Sequence, residues 1–323
     1  MNVERSDILQ NALDSIELGM DDFELGEHKR IVSAVRNFYA GVLLLGKECL
    51  VRSVPGENGM HIISSRYTPF IDEGDSKLKY RPVGTKTIDI EEMKSRFRDF
   101  GLKWPESNIN NLQRLRNNLE HFHAKESTSQ MREIIKECFP IIENFFEILG
   151  LDPSREISDA WSTMLKEKEF FNDVQGKCIK SFASIEFPVE LDFSNLKCEI
   201  CESSLIYQAD ESNKYLSDVE LKCKSCGEDY VAPHGFPRMV VDQLCGADDY
   251  NSVKGSGEGV IFDCNSCGED TYVSTSDVNI CFFCEESVGG ECVRCGDGLG
   301  IENQSINNPS SCDYCDHMMS KDD

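Results

Sequence analysis

Twelve of the sixteen cysteines stand as six CxxC pairs, and all six lie after residue 197. They are Cys198/Cys201, Cys223/Cys226, Cys264/Cys267, Cys281/Cys284, Cys292/Cys295 and Cys312/Cys315. Two thiolates three positions apart in a tight turn occupy two corners of a tetrahedron, and a second turn supplies the other two. Six pairs therefore predict three closed four-cysteine sites and about three structural zinc ions. Such a region folds as small metal-nucleated modules rather than around one large core. A closed site has no open coordination position, so its metal stabilises the fold and catalyses nothing.

Two pairings are open. Sequential pairing leaves spacers of 21, 13 and 16 residues, each suited to a hairpin. A cross-brace over the last four pairs competes, because only seven residues separate Cys284 from Cys292. Gly227, Gly268 and Gly296 each follow the second cysteine of a pair. A positive φ there lets backbone amides point at sulfur, and glycine adopts it freely. These features resemble zinc ribbons. The histidine of a cross-braced RING is missing, and His317, two residues past Cys315, is read as a surface residue.

The acidic charge follows the cysteines. Of the net −25, residues 191–323 contribute −18, from 8 Lys+Arg against 26 Asp+Glu. Residues 1–150 hold 20 against 24, and residues 151–190 hold 5 against 8. A zinc module that grips nucleic acid shows a basic patch. This one is acidic, which points to a protein partner with a basic surface, or to a structural role, and away from a DNA-binding regulator.

No apolar run is long enough to span a bilayer, and MNVERSDILQ lacks the apolar core of a secretory leader. So many CxxC pairs without an export signal imply a reducing cytoplasm and metal thiolates instead of disulfides. Cys49, Cys138, Cys178 and Cys245 are left as small buried residues.

Residues 1–150 read as helices. Ser6 caps a first helix carrying Ile8, Leu9, Leu13, Ile16 and Met20. A second, more apolar helix runs from about Glu27 to Leu50 and is expected at the centre. Residues 53–86 are predicted as a loop with a small hairpin. Thr87 is expected to cap a short helix through Phe100, closed by Gly101. A fourth helix spans Ser107 to Ala124. A fifth spans Ser127 to Leu149, kinked by Pro140 and stopped by Gly150. Residues 155–173 form one more amphipathic helix, within a connector over 151–190. The first zinc module is placed at 191–245, a flexible linker at 246–259, and the second and third modules at 260–323. Gly255-Ser-Gly-Glu-Gly259 lacks the strand, helix and GK[ST] of a phosphate loop and reads as part of the linker.

Chemistry is sought in the fourth helix. Residues 114–123 read Arg-Leu-Arg-Asn-Asn-Leu-Glu-His-Phe-His. At about 100° per residue, Asn117 and His121 lie one turn apart, Arg116 stacks under Glu120, and His123 is two turns above Arg116. A metal-free ribonuclease needs such groups. Histidine moves protons to and from the ribose 2′-OH and the leaving 5′-oxygen, and arginine holds the phosphate and its developing charge. The plainer alternative is an Arg116–Glu120 pair on an ordinary helix. No HExxH or comparable open metal site appears.

Residues 5–150 resemble the HEPN superfamily, a bundle of four or five helices with an Rx4–6H signature, often RNxxxH. Arg116, Asn117 and His121 match the signature, and AVRNFYAGVLLLGKECL looks like the family's second helix. The expected chain is multidomain: the resemblance implies an all-α HEPN-like bundle, and the CxxC pairs predict small β-rich zinc ribbons after it. The resemblance implies metal-independent endoribonuclease activity with Arg116, Asn117 and His121 as site residues; Glu120 and His123, on the same stripe, are candidate auxiliaries. It further implies an RNA substrate, a 2′,3′-cyclic phosphate product, homodimerisation through the helices, and a role as toxin or antiphage effector. Some HEPN domains are non-catalytic, so a dimerisation bundle carrying a zinc-ribbon interaction platform stands as the alternative.

Overall fold

The computed structural model of the chain describes residues 6–56, 58–74, 76–105, 109–121, 126–230, 235–254 and 259–320. It divides into two compact units, Met1–Phe171 and Asn172–Asp323. The first boundary therefore falls about twenty residues after the expected 150. The residues beyond 150 complete the first core, where Trp161 is fully buried with its ring 5.5 Å from Phe170.

The first unit is helical. α1 (Asp7–Leu25) is capped by Ser6, whose hydroxyl accepts the Leu9 amide, and ends at Gly26 in the left-handed region. α2 (His28–Arg52) is buried along Ile31, Val35, Phe38, Val42 and Leu45, the central helix its apolar width predicts. α1 and α2 cross closely at Gly41, where a Cβ would meet Ile16 Cγ1 at 2.6 Å. α3 (Gly59–Ile63) precedes a hairpin of β1 (Tyr67–Ile71) and β2 (Leu78–Pro82). α4 (Ile90–Asp99) is capped by Asp89, not by Thr87. Asp89 and Glu92 form a reciprocal capping box, whereas the Thr87 hydroxyl accepts the Lys47 ammonium.

α5 (Ile109–His121) carries the RNxxxH motif, and the expected start at Ser107 and end at Ala124 lie outside the described residues. The expected fifth helix is two helices, α6 (Thr128–Lys136) and α7 (Phe139–Leu149). Pro140 sits in the first turn of α7, where its missing N–H breaks no hydrogen bond, so the chain restarts a helix instead of kinking one. The expected helix over 155–173 is likewise divided into α8 (Pro153–Glu156), α9 (Ser158–Met164) and α10 (Lys168–Ser181).

The second unit is built from small antiparallel sheets. β3 (Ile206–Gln208), β4 (Leu221–Cys223) and β5 (Asp229–Tyr230) form one sheet. α11 (Gly235–Lys254) follows. β6 (Ile261–Phe262), β7 (Tyr272–Ser274) and β8 (Asn279–Cys281) form another. α12 (Asp313–Met319) closes the chain. The third cysteine module contains no named strand, only bridges at Glu291/Gly298 and Gln304/Cys312, so it departs from the expected β-ribbon. Its last pair is carried by a helix, with Cys312 as N-cap of α12.

The linker expected at 246–259 is corrected over its described part. Residues 246–254 continue α11, and 255–258 lie outside the described residues. Polar composition alone reads as flexible, but here tertiary contacts hold the segment. The Asp249 carboxylate accepts the amides of Val260 and Ile261 at 2.8 and 3.1 Å, fixing the start of β6. Earlier on α11, Arg238 pairs with Asp270 at 2.8 Å. One buried cluster joins Phe182, Leu196, Phe236 and Val240 to Val273 and Phe282, so the first two modules share a core. Leu299 packs against both the second and third clusters.

Candidate metal centres and the RNxxxH face

The six CxxC turns bring the twelve predicted cysteines into three groups. These are Cys198, Cys201, Cys223 and Cys226; Cys264, Cys267, Cys281 and Cys284; and Cys292, Cys295, Cys312 and Cys315. Within each group all sulfurs lie within 4.8 Å of one another, so the pairing is sequential and the cross-brace is excluded. Zinc holds thiolate sulfur at about 2.3 Å, which puts the sulfurs of a regular tetrahedron about 3.8 Å apart. The sulfur pairs across the turns lie at 4.0 and 3.7 Å in the first group, 3.7 and 3.7 Å in the second, and 3.8 Å in the third. The dimensions are compatible with one zinc ion in each.

Five turns share one backbone device. The first cysteine donates its amide to the carbonyl five residues on, and its own carbonyl accepts the amide four residues on. The second connection requires a left-handed residue just after the second cysteine. Gly227, Gly268 and Gly296 supply it with φ of 73°, 78° and 77°. Glu202 and Glu285 occupy the same position with φ of 58° and 61°. The sequence signal for this turn was thus glycine at three sites and nothing visible at two. The sulfurs accept the amides the turn presents. Amides of Cys295, Cys312 and Arg294 pull the Cys292 thiol down to about 6. Burial pushes the Cys223 thiol up. His317 is exposed on α12 and belongs to no cysteine group.

The RNxxxH face is assembled on α5. Ile109, Leu112 and Leu115 are buried and fix the helix's rotation. That rotation leaves Arg116 half-buried and Asn117, Glu120 and His121 exposed. The Arg116 guanidinium meets Glu120 at 2.9 Å, donates to the Asn117 side-chain oxygen at 3.1 Å, and lies 5.2 Å from the Tyr39 ring centroid. Arg116, Asn117 and Glu120 are thus brought together. His121 ends the helix one turn beyond Asn117, with no hydrogen bond to any of the three among the described residues. His123 lies outside the described residues.

Two residues of α2 join this face that the motif alone does not reveal. Tyr39 underlies Arg116, and Arg36 donates to the Leu119 carbonyl at 3.5 Å, near the C-terminal end of α5. Burial pushes the Tyr39 phenol up, the Arg116 charge opposes this, and Asp89 and Glu120 reinforce it. The signal available in the sequence was Arg36 and Tyr39 at i, i+3 beside the apolar stripe of α2.

Cys49 and Cys138 are buried, and burial pushes both thiols up, as inert packing residues require. Among the described residues, no helix is long and apolar enough to cross a membrane. No family model, curated protein or solved structure matches this chain.

Proposed function

We propose that the chain is a metal-independent endoribonuclease of HEPN type whose chemistry lies on the exposed face of α5. The observation that carries the reading is the half-buried Arg116 guanidinium, held against Tyr39 and grouped with Asn117 and Glu120 beside the exposed His121. In this reading Arg116 turns from Glu120 to the scissile phosphate. His121 moves the proton from the ribose 2′-oxygen, which attacks phosphorus as the bond to the 5′-oxygen breaks. The leaving oxygen takes up a proton, and a 2′,3′-cyclic phosphate remains. Two chains pair through their helical units, with both faces on one RNA cleft, and the cell uses the activity as a toxin or antiphage effector. The three cysteine groups hold structural zinc in ribbon-like modules. Their acidic surface meets a basic protein partner that restrains or triggers cleavage in the cytoplasm.

Brief incubation of purified protein with total RNA in EDTA tests the reading. The wild type cleaves, and His121→Ala and Arg116→Ala do not, each retaining wild-type circular dichroism. Loss of one charge-stabilising group removes about 3–4 kcal/mol of barrier lowering. Asn117→Ala is milder, and His123→Ala retains activity. Intact RNA with the wild type, across candidate activating partners, favours the non-catalytic reading. The Arg116–Glu120 pair favours that second reading in one respect, since a neutralised guanidinium also suits a dimer surface.

A further inference from the structure

The three cysteine groups are alike in their ligands and differ in what surrounds the sulfurs. Four thiolates around one zinc ion leave a net charge of about −2, and hydrogen-bond donors at the sulfurs disperse it. In the second group Thr271 supplies such a donor. It is 1% exposed, and its Oγ1 lies 3.3 Å from the Cys281 Sγ. A zinc-bound thiolate has no proton, so the hydroxyl donates and the sulfur accepts. Among the described residues that hydroxyl has no other partner. The Thr271 carbonyl accepts the Phe282 amide at 2.9 Å, and Tyr272 pairs with Cys281 in the register of β7 and β8. Tyr272 is fully buried, donates its hydroxyl to Asn279 at 3.0 Å and accepts the Val288 amide at 2.8 Å. Strand pairing on both sides of its peptide thus holds the Thr271 hydroxyl at the sulfur.

The third group is surrounded differently. Cys295 is exposed, and the Asp297 carboxylate oxygen lies 3.3 Å from its Sγ. Once zinc replaces the Cys295 proton, a carboxylate faces a thiolate, and like charges at that distance repel. One amide opposes this, since Cys312 donates its N–H to the Cys292 Sγ at 3.3 Å. The Arg294 guanidinium is turned to the Cys315 carbonyl, at 3.3 Å. Two isolated bridges brace this module in place of a sheet. In the first group the sulfurs meet neither a side-chain hydroxyl nor a carboxylate among the described residues.

We propose that Thr271 is a positioning residue that locks zinc into the second group, and that Asp297 makes the third group the exchangeable zinc site. The proposal rests on the zinc assignment and is independent of the ribonuclease reading. The test uses the full, reduced, zinc-loaded chain with excess 4-(2-pyridylazo)resorcinol, whose absorbance follows zinc release. Pulses of iodoacetamide and mass spectrometry of the cysteine peptides assign each release to its group. In the wild type the third group should be alkylated first and the second after it. Thr271→Val keeps the side chain's volume and removes the hydroxyl. It should speed release from the second group about tenfold or more, the usual cost of losing a partner of a metal ligand. Thr271→Ser restores the hydroxyl and should restore slow release. Asp297→Asn should slow release from the third group about fivefold or more, because a unit charge at 3.3 Å is worth nearly a decade even at the dielectric constant of water. Asp277→Asn removes an equal charge from an exposed residue that touches no sulfur, and should leave both rates within about twofold.

Release of the second group before the third overturns the proposal. So does a Thr271→Val variant that keeps its zinc, or a Thr271→Ser variant as leaky as Thr271→Val, which would assign the effect to packing. An unchanged rate in Asp297→Asn overturns it as well, and that arm stands even where a Thr271 variant fails to fold, because Asp297 is exposed. Elemental analysis of the starting protein separates the two layers. One zinc ion or none overturns the zinc assignment and this proposal with it, whereas three ions released in the wrong order overturn this proposal alone.

Discussion

Phe282 tests whether the first two cysteine modules are one folding unit. It follows Cys281 in the second module, yet its side chain is 2% exposed in the core that Phe182, Phe236 and Val240 build around the first. Its ring lies 4.9 Å from that of Phe187. Truncating a fully buried phenylalanine costs about 3–5 kcal/mol, because transfer energy is lost and a cavity remains. Marginally stable proteins hold only about 5–15 kcal/mol in total, so Phe282→Ala should remove a large share of this unit's stability. Phe283 is the internal control. It is the next residue, 42% exposed, and Phe283→Ala should change stability by less than about 0.5 kcal/mol.

The assay is pulsed thiol alkylation along a denaturant series, read by mass spectrometry of the cysteine peptides. Phe282→Ala should lower the protection midpoint of the Cys198–Cys226 group and the Cys264–Cys284 group together. A flexible connection between independent modules would instead expose the Cys264–Cys284 group early and leave the first group at its wild-type midpoint. That result would refute the shared core. Cys223→Ser, which on a linker reading unfolds the first module alone, should for the same reason also deprotect the second.

Elemental analysis of reduced, freshly purified protein should give about three zinc ions per chain, and one or none would sink the metal assignment. Glu285→Gly and Glu202→Gly should each stabilise their module by about 1 kcal/mol, since a left-handed conformation costs a non-glycine residue about 1–2 kcal/mol; a lower thermal midpoint would contradict this. Asp249→Ala should cost about 1–2 kcal/mol by leaving the Val260 and Ile261 amides without their acceptor, seen as faster hydrogen exchange at those two amides, and unchanged exchange there would refute it.

The helical unit was legible wherever a signal was local. Ser6, Ser127 and Gly150 cap the ends their residue types indicate, because a cap is settled within four residues. The sequence misleads where two local signals compete. Thr87 and Asp89 are both good caps, and the choice fell to Asp89 because Glu92 completes the reciprocal pair while Lys47 occupies the threonine hydroxyl. Pro140 is equally ambiguous in sequence, as a kink within one helix or the first turn of the next. The segment 246–254 misleads for another reason. Asp, Asn, Ser and Gly over 246–254 lack helix propensity, but the Asp249 carboxylate, Arg238 on Asp270 and the core around Val240 hold the segment in α11. Those partners are remote in sequence, and composition does not report them.

The two candidate sites differ in legibility for the same reason. A closed four-thiolate group is written almost entirely in its ligands: CxxC spacing sets the turn, and the short spacers favour sequential partners. What spacing missed was the two glutamates that take a glycine conformation, since nothing in their chemistry announces a positive φ. The RNxxxH face is written across elements. Spacing on α5 stacks Arg116 with Glu120, and the ion pair forms. Whether that arginine is an idle surface charge or a positioned one depends on Tyr39, which stands 77 positions earlier in the chain and touches it only because α2 and α5 pack together. A guanidinium fixed on an aromatic ring loses less freedom when it grips a phosphate. On the proposed ribonuclease reading, Tyr39→Leu should therefore lower cleavage of total RNA while leaving the Arg116–Glu120 pair intact, which spacing along α5 does not foretell.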